Sequence, residues 1–334
     1  MQTVCLRHLY AGQSCPGSTH ALFPLLDCSY RHKFVIIGAY FNRTIRESDS
    51  EHMPNHENSA IITGGTSGIG WHTARALAQQ GHSVIIVGRS HERCLAAKAR
   101  ILDEVPGAVV DIRLADFASL QQVNSLADSI IAAYPRVELL VNNAGAYYST
   151  RQLSVDGYEL TWATNHLAPF LLTLRLLPLL RASAPARVVT VSSAAHISTS
   201  MNFDDLQGER SYSGFRAYSQ SKLANLLFTY ELAARLAESD VTANALHPGF
   251  VATGFGLNNT DFFMKMSSVI ARFFAITPEQ GAQTSITLAT DPALAYTTGM
   301  YFANSKPIAS SRASYDVTSR RRLWALSTTQ CGLS

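Results

Sequence analysis

From residue 59 onward the chain alternates short apolar runs with longer stretches of helical period. The runs are "AIIT" (60–63), "SVIIV" (83–87), "AVVDIRL" (108–114), "VELLV" (137–141), "ARVVTV" (186–191), "VTANAL" (241–246) and "GMYF" (299–302). A run that is apolar at consecutive positions is a strand covered on both faces, and strands separated by helices are joined by crossovers. The pattern predicts an α/β fold: a doubly wound, mostly parallel seven-stranded sheet with helices on both faces. One such domain is expected over 53–334. Residues 1–52 hold three of the five cysteines, lack the alternation and read as a poorly ordered extension, with Met53 a natural start for the compact part.

The loop after the first run is "TGGTSGIG" (63–70), followed by the helical stretch "WHTARALAQQ". Strand, glycine-rich turn and helix, in that order, are the context in which such a loop signifies dinucleotide binding in a Rossmann-type sheet. Gly64, Gly68 and Gly70 let the backbone approach a pyrophosphate; Thr66, Ser67 and Ile69 complete the loop at a helix N-terminus that favours negative charge. The second run ends in Gly88 and Arg89. An acidic residue there would accept hydrogen bonds from an adenosine ribose and repel a 2′-phosphate, whereas Arg89 attracts that phosphate. NADP is therefore expected in preference to NAD. The plainer alternative is a solvated arginine.

"YSQSK" (218–222) precedes "LANLLF". Four residues apart on a helix, Tyr218 and Lys222 share a face, so a phenol and an ammonium point at one spot. A free phenol has a pKa of about 10 and is a poor base, but a neighbouring cation favours its ionised form. The alternative is a surface Tyr-Lys pair on an amphipathic helix whose stripe of Leu223, Leu226, Leu227 and Tyr230 packs in a core.

The five cysteines, at 5, 15, 28, 94 and 331, show neither C-x-x-C spacing nor His-rich neighbours, so no metal site and no disulfide framework is expected. With 27 basic and 24 acidic side chains spread along the chain, nucleic acid is not an expected partner; the basic run "SRRRLW" near the C-terminus reads as a solvated tail. No apolar run reaches the roughly 20 residues of a membrane-spanning helix. The first acid is Asp27, a trait of organellar presequences, but Arg7 is the one early strong base and no amphipathic repeat is present. A cytoplasmic chain is expected over an imported one.

Taken in order, "TGGTSGIG", "NNAG" (142–145), Asn165 in "TNHLAPFLL", "VVTVSS" (188–193), "YSQSK" and "HPGFVAT" (247–253) resemble the short-chain dehydrogenase/reductase family, from about residue 59 onward. The stretch from "FDDLQGERSYSGF" through "YSQSK" looks like the branch that holds retinol dehydrogenases and related carbonyl reductases. The resemblance implies that Tyr218 exchanges the proton of the substrate oxygen, that Lys222 tunes it and meets the nicotinamide ribose, and that Ser193, with Ser192 as the alternative, polarises that oxygen. It also implies that Asn165 positions a relay water. Asp116 would meet the adenine, Asn142, Ala144 and Gly145 would line the cofactor, and Pro248, Gly249, Val251 and Thr253 would hold the nicotinamide end. Asn142 could equally be a structural brace between strands. Family members often form homodimers through the tyrosine helix.

Between Thr253 and Pro278, Phe262, Met266, Val269 and Phe273 recur at helical spacing, which suits either an adaptable apolar lid over a lipophilic substrate or an ordinary buried stripe. Tyr147, Tyr148, His196 and Tyr212 are candidates to flank the same pocket. The expected activity is NADP-dependent hydride transfer between nicotinamide and an alcohol or carbonyl carbon, with a small secondary-metabolite ketone as another substrate class. A non-catalytic NADP(H) sensor would be expected to have lost one of Asn165, Ser193, Tyr218 and Lys222, and all are present.

Overall fold

In strand β1, Ser59–Thr63, all five residues are buried. Successive side chains enter opposite cores, Ile61 on one face and Ala60 and Ile62 on the other, which is why the run is apolar without alternation. The computed structural model describes residues 58–249 and 276–333. The N-terminal extension, Val251, Thr253 and the stripe Phe262, Met266, Val269 and Phe273 lie outside the described residues.

After β1 come α1 (Gly68–Gln79), β2 (Ser83–Gly88), α2 (His91–Glu104), β3 (Val110–Leu114), α3 (Leu120–Ala133) and β4 (Leu139–Asn142). A helical turn at Leu160–Trp162 and a π-turn at Ala163–Leu167 lead into α4 (Ala168–Ala182) and β5 (Ala186–Val191). A 3-10 turn at Ala194–Ser198, α5 (Gly214–Arg235), β6 (Val241–Leu246), α6 (Pro278–Thr290), β7 (Tyr301–Ala303), β8 (Lys306–Ile308) and α7 (Val317–Gln330) follow. The sheet order is β3-β2-β1-β4-β5-β6-β7-β8, parallel up to β7. Side chains of α3, α4 and α5 fill one core, and those of α1, α2 and α6 the other.

The eighth strand departs from the seven expected. Asn304 and Ser305 both take positive φ, 49° and 59°, the backbone of a two-residue hairpin turn whose twist matches its strands. β8 pairs antiparallel with β7, and its Pro307 is tolerated because the strand is at the edge.

Strand order reverses between β1 and β4, so the loops after these strands diverge and leave a crevice at their carboxyl ends. Thr63 ties the two loops together: its hydroxyl accepts from the Asn143 and Ala144 amides, both at 3.0 Å. Asn143 Nδ2 in turn donates to the Thr63 carbonyl at 2.8 Å.

The basic run "SRRRLW" is no solvated tail; it lies inside α7, where Leu323 is buried and Arg320 Nε meets Glu231 Oε2 at 2.9 Å. The Trp324 ring stacks on Phe228 at 6.0 Å and meets Phe170 edge-on at 5.2 Å. Every residue of α5 from Tyr218 to Ala233 is buried, and α7 covers the helix at Phe228, Glu231 and Arg235. Among the described residues no helix is long and apolar enough to cross a membrane.

Candidate active site

The glycine loop needs its glycines for backbone reasons. Gly64 and Gly68 take φ of +66° and +55°, and a Cβ on Gly70 would overlap the Gly64 carbonyl and the Asn143 amide. Ser67, at the N-cap of α1, makes no side-chain cap, and the first turn carries no acidic residue. Ser90 and Ser119, by contrast, cap α2 and α3 with their hydroxyls. Among the described residues the first N–H groups of α1 thus have no side-chain cap from Ser67, beside Thr66 and Ile69, where the helix favours an anion.

At the end of β2, Arg89 is exposed but not unengaged: its side chain hydrogen-bonds the Tyr148 phenol. Burial raises the Tyr148 pKa, Arg89 pulls it back, and Asp116 adds to the rise, so the three groups lie near one another. Asp116 closes a turn after β3, its carboxylate accepting the Ala118 amide at 3.0 Å. Asn142 proves to be a brace, but from strand to helix, with Nδ2 donating to Thr173 Oγ1 at 2.9 Å. Ala144 is held by its amide to Thr63, and a Cβ on Gly145 would come within 3.4 Å of both Asn165 Oδ1 and Lys222 Nζ. Pro248 and Gly249 follow β6, Gly249 with φ of +86°.

Tyr218 and Lys222 are both buried, 8% and 3% exposed, so they are no surface pair. Burial pushes the Tyr218 phenol up to about 12, while a hydrogen bond with the Ser193 side chain acts in the opposite direction. Lys222 Nζ stands 5.7 Å from the centre of the Tyr218 ring and donates to the Val191 carbonyl at 3.0 Å. Burial lowers its pKa to about 8. Ser193 thus hydrogen-bonds Tyr218, and Lys222 lies beside its ring. Of the two serines, Ser192 donates its hydroxyl to the Lys222 carbonyl at 2.8 Å, and Ser193 is the one whose side chain bonds Tyr218.

Asn165 sits in the π-turn, a feature frequent at functional sites. Fully buried, it exchanges two bonds with Ala146, accepting the amide at 2.7 Å and donating to the carbonyl at 2.9 Å, and it donates to Ser221 Oγ at 3.0 Å. Ser221 donates to the Tyr218 carbonyl at 2.7 Å, so the Asn165 side chain anchors the tyrosine helix to the loop after β4. The Tyr147 ring meets Tyr218 edge-on at 6.0 Å. Tyr212 turns away to structural work, donating to the Tyr148 carbonyl or Glu159 Oε1, each at 3.0 Å. Thr63, Asn143 and Ser221 were missed by sequence reasoning. The doubled asparagine of "NNAG" was the one available signal for Asn143.

These positions match known proteins. The family description "short chain dehydrogenase" matches residues 58–261. Human retinol dehydrogenase 14 is 37% identical over 312 residues, covering 89% of this chain and 92% of its own. A solved structure of a Mycobacterium paratuberculosis protein superposes with a TM-score of 0.68 at 34% identity, over 83% of this chain and 94% of that one. The Pseudomonas aeruginosa RhlG/NADP active-site complex gives a TM-score of 0.58 at 29% identity, over 74% and 94%. Fold and relatives together define a Rossmann-type oxidoreductase. The chain belongs to the short-chain dehydrogenase/reductase family and is retinol dehydrogenase-like within it.

Proposed function

We propose that the protein is an NADP-dependent oxidoreductase acting on an alcohol or carbonyl group of a lipophilic substrate. The observation that carries the reading is the hydrogen bond of the buried Tyr218 with Ser193, together with a glycine loop whose helix N-terminus has no side-chain cap. Gly64, Gly68 and Gly70 would admit the pyrophosphate, Arg89 the 2′-phosphate, and Lys222 the nicotinamide ribose. Bound there, the nicotinamide supplies or accepts the hydride. The chain's own residues do the rest: Ser193 holds the substrate oxygen, and Tyr218, protonated at neutral pH, donates its proton as the carbonyl is reduced. Asn165 fixes the tyrosine helix, and its backbone remains a candidate for the relay water. Pro248 and Gly249, with Val251 and Thr253, would hold the nicotinamide end.

The retinol dehydrogenase relative supports a long apolar alcohol or aldehyde as the substrate class, and the NADP complex of the Pseudomonas aeruginosa structure supports the phosphorylated cofactor. Titration with NADPH and NADH, on wild type and Arg89→Ala, tests the cofactor. A preference for NADPH that the variant loses supports the reading; equal or tighter NADH binding by the wild type overturns it.

A further inference from the structure

His196 lies three residues beyond Ser193, is fully buried, and has both ring nitrogens engaged. The Ser311 amide donates to Nε2 at 3.1 Å. That contact fixes the tautomer: Nε2 is the acceptor, so Nδ1 carries the hydrogen and donates it to the Ser193 carbonyl oxygen at 2.7 Å. Burial lowers the pKa of the ring, which keeps it neutral at pH 7.

The ring also has a rigid back wall. Tyr301 in β7 meets it edge-on, with centroids 5.1 Å apart at 78°. Tyr301 also meets the His247 ring, centroids 5.7 Å apart, whose Nδ1 accepts the Gly249 amide at 3.1 Å. Two histidines against one tyrosine thus grip two different segments, the serine after β5 and the glycine turn after β6.

We infer that His196 is a positioning residue, which holds the Ser193 hydroxyl against Tyr218 by gripping the Ser193 backbone, with Ser311 and Tyr301 fixing the imidazole. Ser193 is the N-cap of a short 3-10 turn, extended at φ −157°, with its hydroxyl also accepting the Ala195 amide at 3.2 Å. Without the imidazole the Ser193 carbonyl keeps only the longer bond from the His196 backbone amide, 3.2 Å, and loses the 2.7 Å ring contact that ties it to Ser311 and Tyr301 and so aims the hydroxyl at Tyr218. The inference rests on the role proposed above for Ser193, and it extends that role to a segment more than a hundred residues further along the chain.

His196→Leu removes both ring hydrogen bonds, and His196→Asn keeps a side-chain N–H where Nδ1 stands. In NADPH-dependent reduction of an apolar aldehyde, His196→Leu is expected to lower kcat by about 10- to 100-fold, the scale of a misplaced reacting group. NADPH binding should stay unchanged, and His196→Asn should recover most of the loss. An unchanged kcat in His196→Leu overturns the inference. So does a loss that His196→Asn does not recover, or one matched by equal losses of NADPH binding and thermal stability. Crystal structures of both variants test it without turnover: the Ser193 hydroxyl should leave hydrogen-bond distance of Tyr218 in His196→Leu and return in His196→Asn. A Ser193 that does not move overturns the inference. A wild type that turns over no aldehyde, while Ser193 moves as described, overturns the proposed activity and leaves the positioning intact.

Discussion

The Lys222 ammonium donates to the carbonyl of Val191, reaching 3.0 Å from the middle of α5 to the last residue of β5. Burial lowers its pKa from 10.5 to about 8. The unfolded chain therefore holds this proton more tightly than the folded one. The penalty is complete below pH 8 and fades as pH rises toward 10.5, so stability rises with pH across that window. Lys222→Met should stabilise the protein by about 2 kcal/mol at pH 7, at 1.36 kcal/mol per pKa unit less the lost hydrogen bond. The gain should shrink by pH 10 and activity should vanish. Urea unfolding at both pH values is the measurement, and a variant no more stable than wild type would contradict the burial penalty.

His166 gives the acid counterpart. It is buried in the π-turn against α7, its Nε2 2.7 Å from Ser327 Oγ, and burial lowers its pKa to about 3. Below 6.5 the unfolded chain takes a proton that the folded one refuses, so stability falls with falling pH. Between pH 6.5 and 5 the wild type should lose about 2 kcal/mol more than His166→Gln, from 1.36 kcal/mol per pH unit. Parallel curves for the two proteins in chemical unfolding would show that this histidine is not the titrating group.

Tyr218→Phe removes one oxygen from a fully packed helix. Turnover should drop by about 10²- to 10⁴-fold, the usual contribution of a positioned acid or base. NADPH affinity, followed by fluorescence titration, should be unchanged. A variant with most of its activity left would assign the proton to another group.

Trp324 stacks on Phe228, meets Phe170, and lies under the Arg235 guanidinium at 4.3 Å. Trp324→Ala should cost about 3 kcal/mol, from the lost packing and the lost cation–π contact. Thermal or urea unfolding measures the cost, and size-exclusion chromatography follows whether the opened face of α5 now pairs between molecules. A loss below 0.5 kcal/mol, the range of an ordinary surface position, would mean that α7 only rests on α5.

Much of this site was legible because its parts are short motifs in a fixed order, and the parallel sheet carries each to the same edge. Tyr218, Lys222 and Ser193 come together for that reason. Their pairing was not legible: four-residue spacing puts Tyr218 and Lys222 on one face, but it cannot show that β5 delivers a serine to the phenol and a carbonyl to the ammonium. β8 was hidden because its turn uses Asn304 and Ser305, with no glycine to announce positive φ. His196 was silent because an imidazole acquires a role only when both nitrogens have partners, and one of them, Ser311, is remote in sequence. The charge of "SRRRLW" suggested solvent, whereas Arg320 finds a buried Glu231 and Leu323 enters the core.

The cover that α7 gives α5 also sets an order of events during synthesis. Residues 214–235 leave the ribosome roughly 80 residues ahead of 317–330, which at 5–20 residues per second is a delay of about 4–16 s. Through that interval Phe228 and its apolar neighbours lack their lid, and the helix that carries the reactive phenol is a sticky surface. The nascent chain is then most in need of a chaperone, and a message cut short before α7 would yield a nearly complete sheet with its catalytic helix uncovered.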